Sequence, residues 1–188
     1  MGRDFQHSDE VKAIVREAYG SVDGGTRAVA EKLYSPEELA LVPDAAIDRS
    51  LGVANHLRHA ALTPSDVALD LGCGAGIDTI LAARRAGHVI GLDFLPEMLE
   101  RTRAAAVEAG LRNVETLEGE MEAIPLPDAS VDHVISNGVI NLSPRKARVF
   151  AECARVLRPG GRLTVSDLTV DEEELPPQIL THPATWAG

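Results

Sequence analysis

The sequence is short of several things, and each shortage removes a class of protein. Only two cysteines, Cys73 and Cys153, occur in 188 residues, too few for a disulfide framework. Positive charge is scarce: 18 Lys and Arg stand against 29 Asp and Glu, a net charge of −11 that repels phosphate backbones and anionic membrane surfaces. No apolar run approaches the roughly 20 residues needed to cross a bilayer. The polar start "MGRDFQHSDE" does not read as a signal peptide. A soluble, cytoplasmic protein is therefore expected, with no nucleic-acid or membrane partner. Internal repeats and low-complexity tracts are also missing. What is present, 45% hydrophobic residues, suffices for one globular domain with a proper core.

The chain changes rhythm once. Residues 1–62 read as a helical N-terminal cap or lid region, and residues 63–188 as the core that carries the chemistry. In the first region "SDEVKAIVREAYG" has Ser8 as N-cap, apolar residues at helical spacing and Gly20 as a stop. Gly24 and Gly25, with Gly20, would permit a mobile lid. A second helix opens at "SPEELA", where Ser35 and Glu38 have capping-box spacing and Pro36 takes the first helical position. From Val67 onward short strands alternate with helices: "VALDL", "HVIGLD", "VETLEG", "VDHVIS" and "RLTVSD". That alternation predicts an α/β fold, a parallel sheet with helices on both faces. Pro96 opens a helix that Gly110 closes, Ser143 and Pro144 open another, and "RPGG" turns the chain into the last strand.

The chemistry gathers where the first strand meets its helix, in "ALDLGCGAGIDTILAARRAG". Gly72, Gly74 and Gly76 let the backbone bend and approach a ligand, just before a helix N-terminus that would favour an anionic group. A dinucleotide fingerprint would need G-x-G-x-x-G, which this alternate spacing is not, so S-adenosylmethionine suits the turn better than NAD. The next strand ends in Asp93, 23 residues after Asp70, where a carboxylate can accept both ribose hydroxyls. Beyond the third strand, Glu120 and Met121 stand where an adenine edge would be met, and Phe94 and Met98 could flank the ring.

These pieces coincide with a family. Residues 64–167 resemble a class I S-adenosylmethionine-dependent methyltransferase, through "DLGCGAG", "GLDFLPEML", "GEMEAIPLPDASVDHVISNGVINL" and "RVLRPGGRL". More narrowly, "SPEELALVP", "GIDTILAARRAG", "ISNGVINLSPRKARVFAECARVLRPGGRLTVSDL" and the terminal "HPATW" resemble arsenite methyltransferases. The resemblance implies a Rossmann-like sheet of strand order 3-2-1-4-5. It also implies that Asp70, Gly72, Gly74 and Gly76, with Cys73 inside the turn, hold the methionine part, Asp93 the ribose, and Glu120 with Met121 the adenine. S-adenosylhomocysteine would be the product, and no metal is needed.

The substrate side departs from that family. Arsenite methyltransferases bind trivalent arsenic through cysteine thiolates, soft ligands for a soft centre. One such cysteine stands within "SNCVINL" and another within a Gly-Cys-Gly-Asn-Pro stretch; here those positions are Gly138 and Val53. The expected function is methyl transfer to another small acceptor, with Asn137 as the catalytic and cofactor-side residue. Asn55 and His56 are further candidates for the site wall, and His133 is a candidate base. The rival expectation is a cofactor-binding or regulatory subunit without catalysis. Few residues follow the fifth strand, so the final antiparallel strand pair is expected to be absent. Either the chain is a truncated piece, or a second copy or partner chain covers that edge.

Overall fold

The computed structural model describes residues 27–169. The proposed helix over residues 8–20, the glycines of the lid and the tail after residue 169 lie outside them. Three short helices come first: α1 (Arg27–Leu33), α2 (Pro36–Leu39) and α3 (Asp44–Ile47). The capping box forms at α2, with the Glu38 amide donating to Ser35 Oγ at 3.2 Å and the Ser35 amide to Glu38 Oε2 at 2.9 Å. The expectation of helix throughout this region holds only in part. Residues 48–55 form no helix, and a 3₁₀ turn follows at His56–Arg58.

The sheet consists of β1 (Val67–Leu71), β2 (His88–Asp93), β3 (Val114–Glu118), β4 (Val131–Asn137) and β5 (Leu157–Ser166), in the order β3-β2-β1-β4-β5. All four pairings are parallel, and among the described residues there is no antiparallel strand pair at the β5 edge. Between the strands run α4 (Ile77–Ala83), α5 (Pro96–Glu108) and α6 (Lys146–Val156). Strand residues alternate between faces, so neighbours in sequence feed different cores. Ala68, Val89 and Ile135 pack with Ala30, Tyr34, Leu57, Ile80 and Ala105 on one face. Leu69, Leu71, Leu92 and Val134 pack with Val149, Cys153 and Val156 of α6 on the other. The N-terminal helices thus share one core with the sheet.

Two boundaries differ from the sequence reading. Helix α6 starts at Lys146 and not at Pro144, because Ser143 Oγ accepts the Arg145 amide at 3.0 Å and holds a turn there. Strand β5 begins at Leu157, ahead of the "RPGG" turn, with a register irregularity opposite Val131 and His133 that absorbs the turn within the strand. No helix among the described residues is long and apolar enough to cross a membrane.

Candidate cofactor and acceptor site

The strand order reverses beside β1: β2 lies on one side and β4 on the other. Open α/β sheets bind ligands at such a point, beyond the carboxyl ends of the strands. A crevice lies there, lined by Asp70, Gly72, Asp93, Met98, Glu120 and Asn137 among others. Cys73, Gly74, Phe94 and Met121 also reach it, so nearly all the residues singled out from the sequence meet at one place. Gly76 does not reach it. It caps α4 with a φ of 97°, and a Cβ there would stand 2.9 Å from Thr102 Oγ1.

The glycine turn is built for close approach. Gly72 has φ +76°, and a Cβ on it would lie 2.7 Å from Val139 Cγ1; Gly74 has φ +54° and open space within 4 Å. The first glycine makes room for protein and the second faces open space. Cys73 between them is a packed thiol. It accepts from Thr102 Oγ1 at 3.6 Å, and burial with the neighbouring Asp70 and Asp93 pushes its pKa up. Cys153 is fully buried in α6, its pKa raised by burial to about 11. Neither thiol is a ready nucleophile or soft-metal ligand.

Asp93, at the tip of β2, accepts the Leu95 amide on Oδ1 and the Gly74 amide on Oδ2, both at 3.0 Å. The Phe94 amide also holds this carboxylate, which leaves part of its acceptor capacity unused. Asp70 is 2% exposed and receives Thr79 Oγ1 at 2.5 Å. Burial, together with the charge of Asp78, raises its pKa.

Asp78, in the first turn of α4, organises a hub that the sequence reading missed. It accepts Tyr34 Oη at 2.7 Å and Asn137 Nδ2 at 2.9 Å, and burial raises its pKa. The Asn137 carboxamide is fully engaged. Its oxygen accepts the amides of Val53 (2.9 Å) and Ala54 (3.3 Å), and its nitrogen also donates to Ala54 O at 2.8 Å and to Tyr34 Oη at 3.3 Å. Helix α1, helix α4, strand β4 and the loop after α3 are therefore tied by one set of hydrogen bonds. An acid in a first helical turn reads from sequence as a partner of the helix dipole, which is why Asp78 gave no other signal.

Other candidates fall elsewhere. His133 faces the β5 side, with Nε2 2.8 Å from Thr164 Oγ1, and is not part of the crevice wall. Asn55 donates to Glu38 Oε2 at 2.9 Å, and His56 is buried; neither lines the crevice. Unforeseen residues line it instead: Arg49, Ser50 and Glu122, the last accepting Ser143 Oγ at 2.6 Å. No group of His, Cys, Asp and Glu suited to hold a metal ion occurs among the described residues.

The sheet order, the glycine turn on β1 and the acid at the tip of β2 define a Rossmann-like protein with a crevice at the switch point of the sheet. Residues 62–187 match the methyltransferase domain family, and the chain belongs to it. It is 43% identical over 158 residues to an arsenite methyltransferase of Halobacterium salinarum, a match covering 82% of this chain and 40% of that protein. It is 42% identical over 103 residues to a demethylmenaquinone methyltransferase of Listeria monocytogenes, covering 53% of this chain and 43% of the relative. Among solved structures it resembles an arsenic(III) S-adenosylmethionine methyltransferase of Chlamydomonas reinhardtii. That match has a TM-score of 0.59 and 31% identity, and covers 92% of this chain and 54% of the other. The chain thus spans about two-fifths of the length of these curated relatives.

Proposed function

We propose that this chain binds S-adenosylmethionine and directs its methyl group to a small organic acceptor other than arsenite. The observation that carries the reading is the pairing of an open, left-handed Gly74 with a buried Asp93 that keeps acceptor capacity, both on one crevice. A nucleoside fits between them: Asp93 takes the ribose hydroxyls, Phe94 and Met98 offer apolar surface to the base, and Glu120 with Met121 stands at its edge. When bound, the cofactor supplies a sulfonium methyl that a nucleophile displaces in line. The buried carboxyls of Asp70 and Asp78 favour positive charge at that end of the crevice. Asn137 acts by holding the Val53–Ala54 backbone, with Val53 packed against Gly138, so its role is positioning.

The acceptor reading follows from Val53 and Gly138. The resemblance drawn from the sequence puts cysteines at those positions in arsenite methyltransferases, and here neither position carries sulfur. The likeness to a demethylmenaquinone methyltransferase, named for an organic acceptor, supports an organic acceptor here too. Calorimetric titration of the chain with S-adenosylmethionine and S-adenosylhomocysteine, with Asp93→Ala as control, tests the cofactor. Binding that the substitution abolishes, with circular dichroism unchanged, is expected. No binding by a folded wild-type chain would end this reading.

One observation favours a partner as well. Leu163 and Val165 on β5 are 37% and 36% exposed, and Phe150 on α6 is 45% exposed. In the parallel register Leu163 and Val165 share the face of Val134 and Ser136, the α6 side of the sheet. We propose that a second copy or further chain covers this strip, as bare edge strands invite pairing. Light scattering that shows a monomer at high concentration would remove that part.

A further inference from the structure

The cofactor reading leaves one charge without a place. The amino-acid end of S-adenosylmethionine carries an ammonium and a carboxylate on the same carbon, and the two need opposite surroundings. From sequence the glycine turn and the start of α4 were expected to take the anion. Four of the turn's amides are already engaged within the protein. The amides of Gly72 and Cys73 both donate to Leu92 O, at 2.8 and 2.9 Å, and that of Gly76 donates to Cys73 O at 2.9 Å. The Gly74 amide is held by Asp93. Asp70, Asp78 and Asp93 crowd the same corner, which repels a carboxylate and suits a cation.

Across the crevice the balance is reversed. Among the described residues that line it, Arg49 is the only base. Beside it stands Ser50, 2% exposed, whose Oγ meets no hydrogen-bond partner. Buried hydroxyls are seldom left unpaired, and those that are point to a missing partner. Both residues follow the C-cap of α3, Asp48, with the Ser50 amide donating to Ile47 O at 3.2 Å, so the backbone that presents them is tied to the helix end.

We propose that Arg49 and Ser50 form the subsite for the α-carboxylate of the ligand. A guanidinium supplies charge and paired donors to a carboxylate, and a serine hydroxyl supplies one more. The inference rests on the cofactor reading above and adds to it an orientation. The methionine end lies with its ammonium toward Asp70 and Asp78 and its carboxylate toward the end of α3.

The test compares S-adenosylmethionine with its decarboxylated analogue, which lacks only the carboxylate. Calorimetry on the wild type, Ser50→Ala and Arg49→Gln yields, for each, the ratio of the two affinities. The expected result is a ratio about tenfold or more lower in either variant than in the wild type, with affinity for the analogue unchanged. Ser50→Ala is expected to melt no lower than the wild type, since it removes an unpaired buried hydroxyl. A ratio unchanged by both substitutions would overturn the subsite while leaving the cofactor reading intact. Failure of a folded wild type to bind either compound would remove the cofactor reading, and the subsite with it.

Discussion

A Cβ built on Gly138 would stand 3.2 Å from Cγ1 of Val53, so the tip of β4 and the loop after α3 meet at these two residues. They lie far apart in sequence and are brought together by Asn137, whose carboxamide oxygen takes the Val53 amide. This contact is the place where a pair of soft ligands would stand if both residues were cysteine.

The double variant Val53→Cys, Gly138→Cys is therefore expected to gain binding of phenylarsine oxide that the wild type lacks, read by the loss of two titratable thiols. Gly138 has φ +76°, so the new side chain costs about 1–2 kcal/mol in backbone strain. A melting temperature lowered by that amount, with arsenical binding that raises it again, is the expected pattern. A folded variant indifferent to the arsenical would show that these two positions do not converge.

Asn137→Ala tests the tie itself. The substitution strands the Val53 amide and removes one of the two donors to Asp78, so a loss of about 2–4 kcal/mol in urea unfolding is expected. Hydrogen exchange should rise in residues 51–55. Stability equal to the wild type would mean that the carboxamide is not the clamp the geometry describes.

How much of this was legible beforehand depended on whether a feature is local. Strands β1 and β2 were read to the residue, because buried parallel strands are short apolar runs with abrupt polar or glycine ends. The capping box at Ser35 and the stop at Gly110 are written in neighbouring residues and were readable too. The irregular stretch after α3 was not. Nothing in residues 48–55 forbids a helix; what prevents it is Asn137, more than eighty positions away, capturing the amides of Val53 and Ala54. Arg49 and Ser50 escaped notice for the same reason, since their value lies in what surrounds them across the crevice. His133 erred the other way. It is a chemically suggestive residue, but β4 turns it toward Thr164.

The two glycines at the head of the turn should respond differently to alanine. At Gly72 the new Cβ would overlap Val139 as well as strain φ, for a cost of about 2–4 kcal/mol. At Gly74 only φ is strained, about 1–2 kcal/mol, because nothing lies within 4 Å. Gly74→Ala is thus expected to stay folded at 25 °C and to weaken S-adenosylmethionine binding by about tenfold or more, as the methyl occupies ligand space. If Gly74→Ala bound as the wild type does, the open space above that glycine would not be cofactor space.

The acids of the crevice set a pH dependence whose sign can be worked out. Burial, and then the charge of Asp78, raise the pKa of Asp70 above its unfolded value near 3.8, so the native state holds that proton more tightly than the unfolded chain does. Its contribution to stability is greatest at low pH and is lost as pH rises toward the folded pKa. Burial raises Asp78 and Asp93 in the same direction. The buried histidines oppose them: burial lowers the pKa of His56 and His133, so their protonation in the unfolded chain favours unfolding below about pH 6.5. Comparing Asp70→Asn with the wild type cancels the histidine contribution. The amide can still accept Thr79 Oγ1 but carries no charge beside Asp78. At pH 8 the variant should be more stable than the wild type by about 1 kcal/mol or more, and its advantage should shrink as pH falls to 5.5 and the wild type takes up its proton. Thermal unfolding across that range reads the difference. A variant less stable than the wild type at pH 8, with a gap independent of pH, would show that Asp70 is ionised throughout and stabilised by contacts other than those described. Cofactor binding runs the opposite way in the wild type: a cation beside Asp70 favours its ionised form, so S-adenosylmethionine affinity should rise from pH 5.5 to 8 and proton release should accompany binding at the lower end.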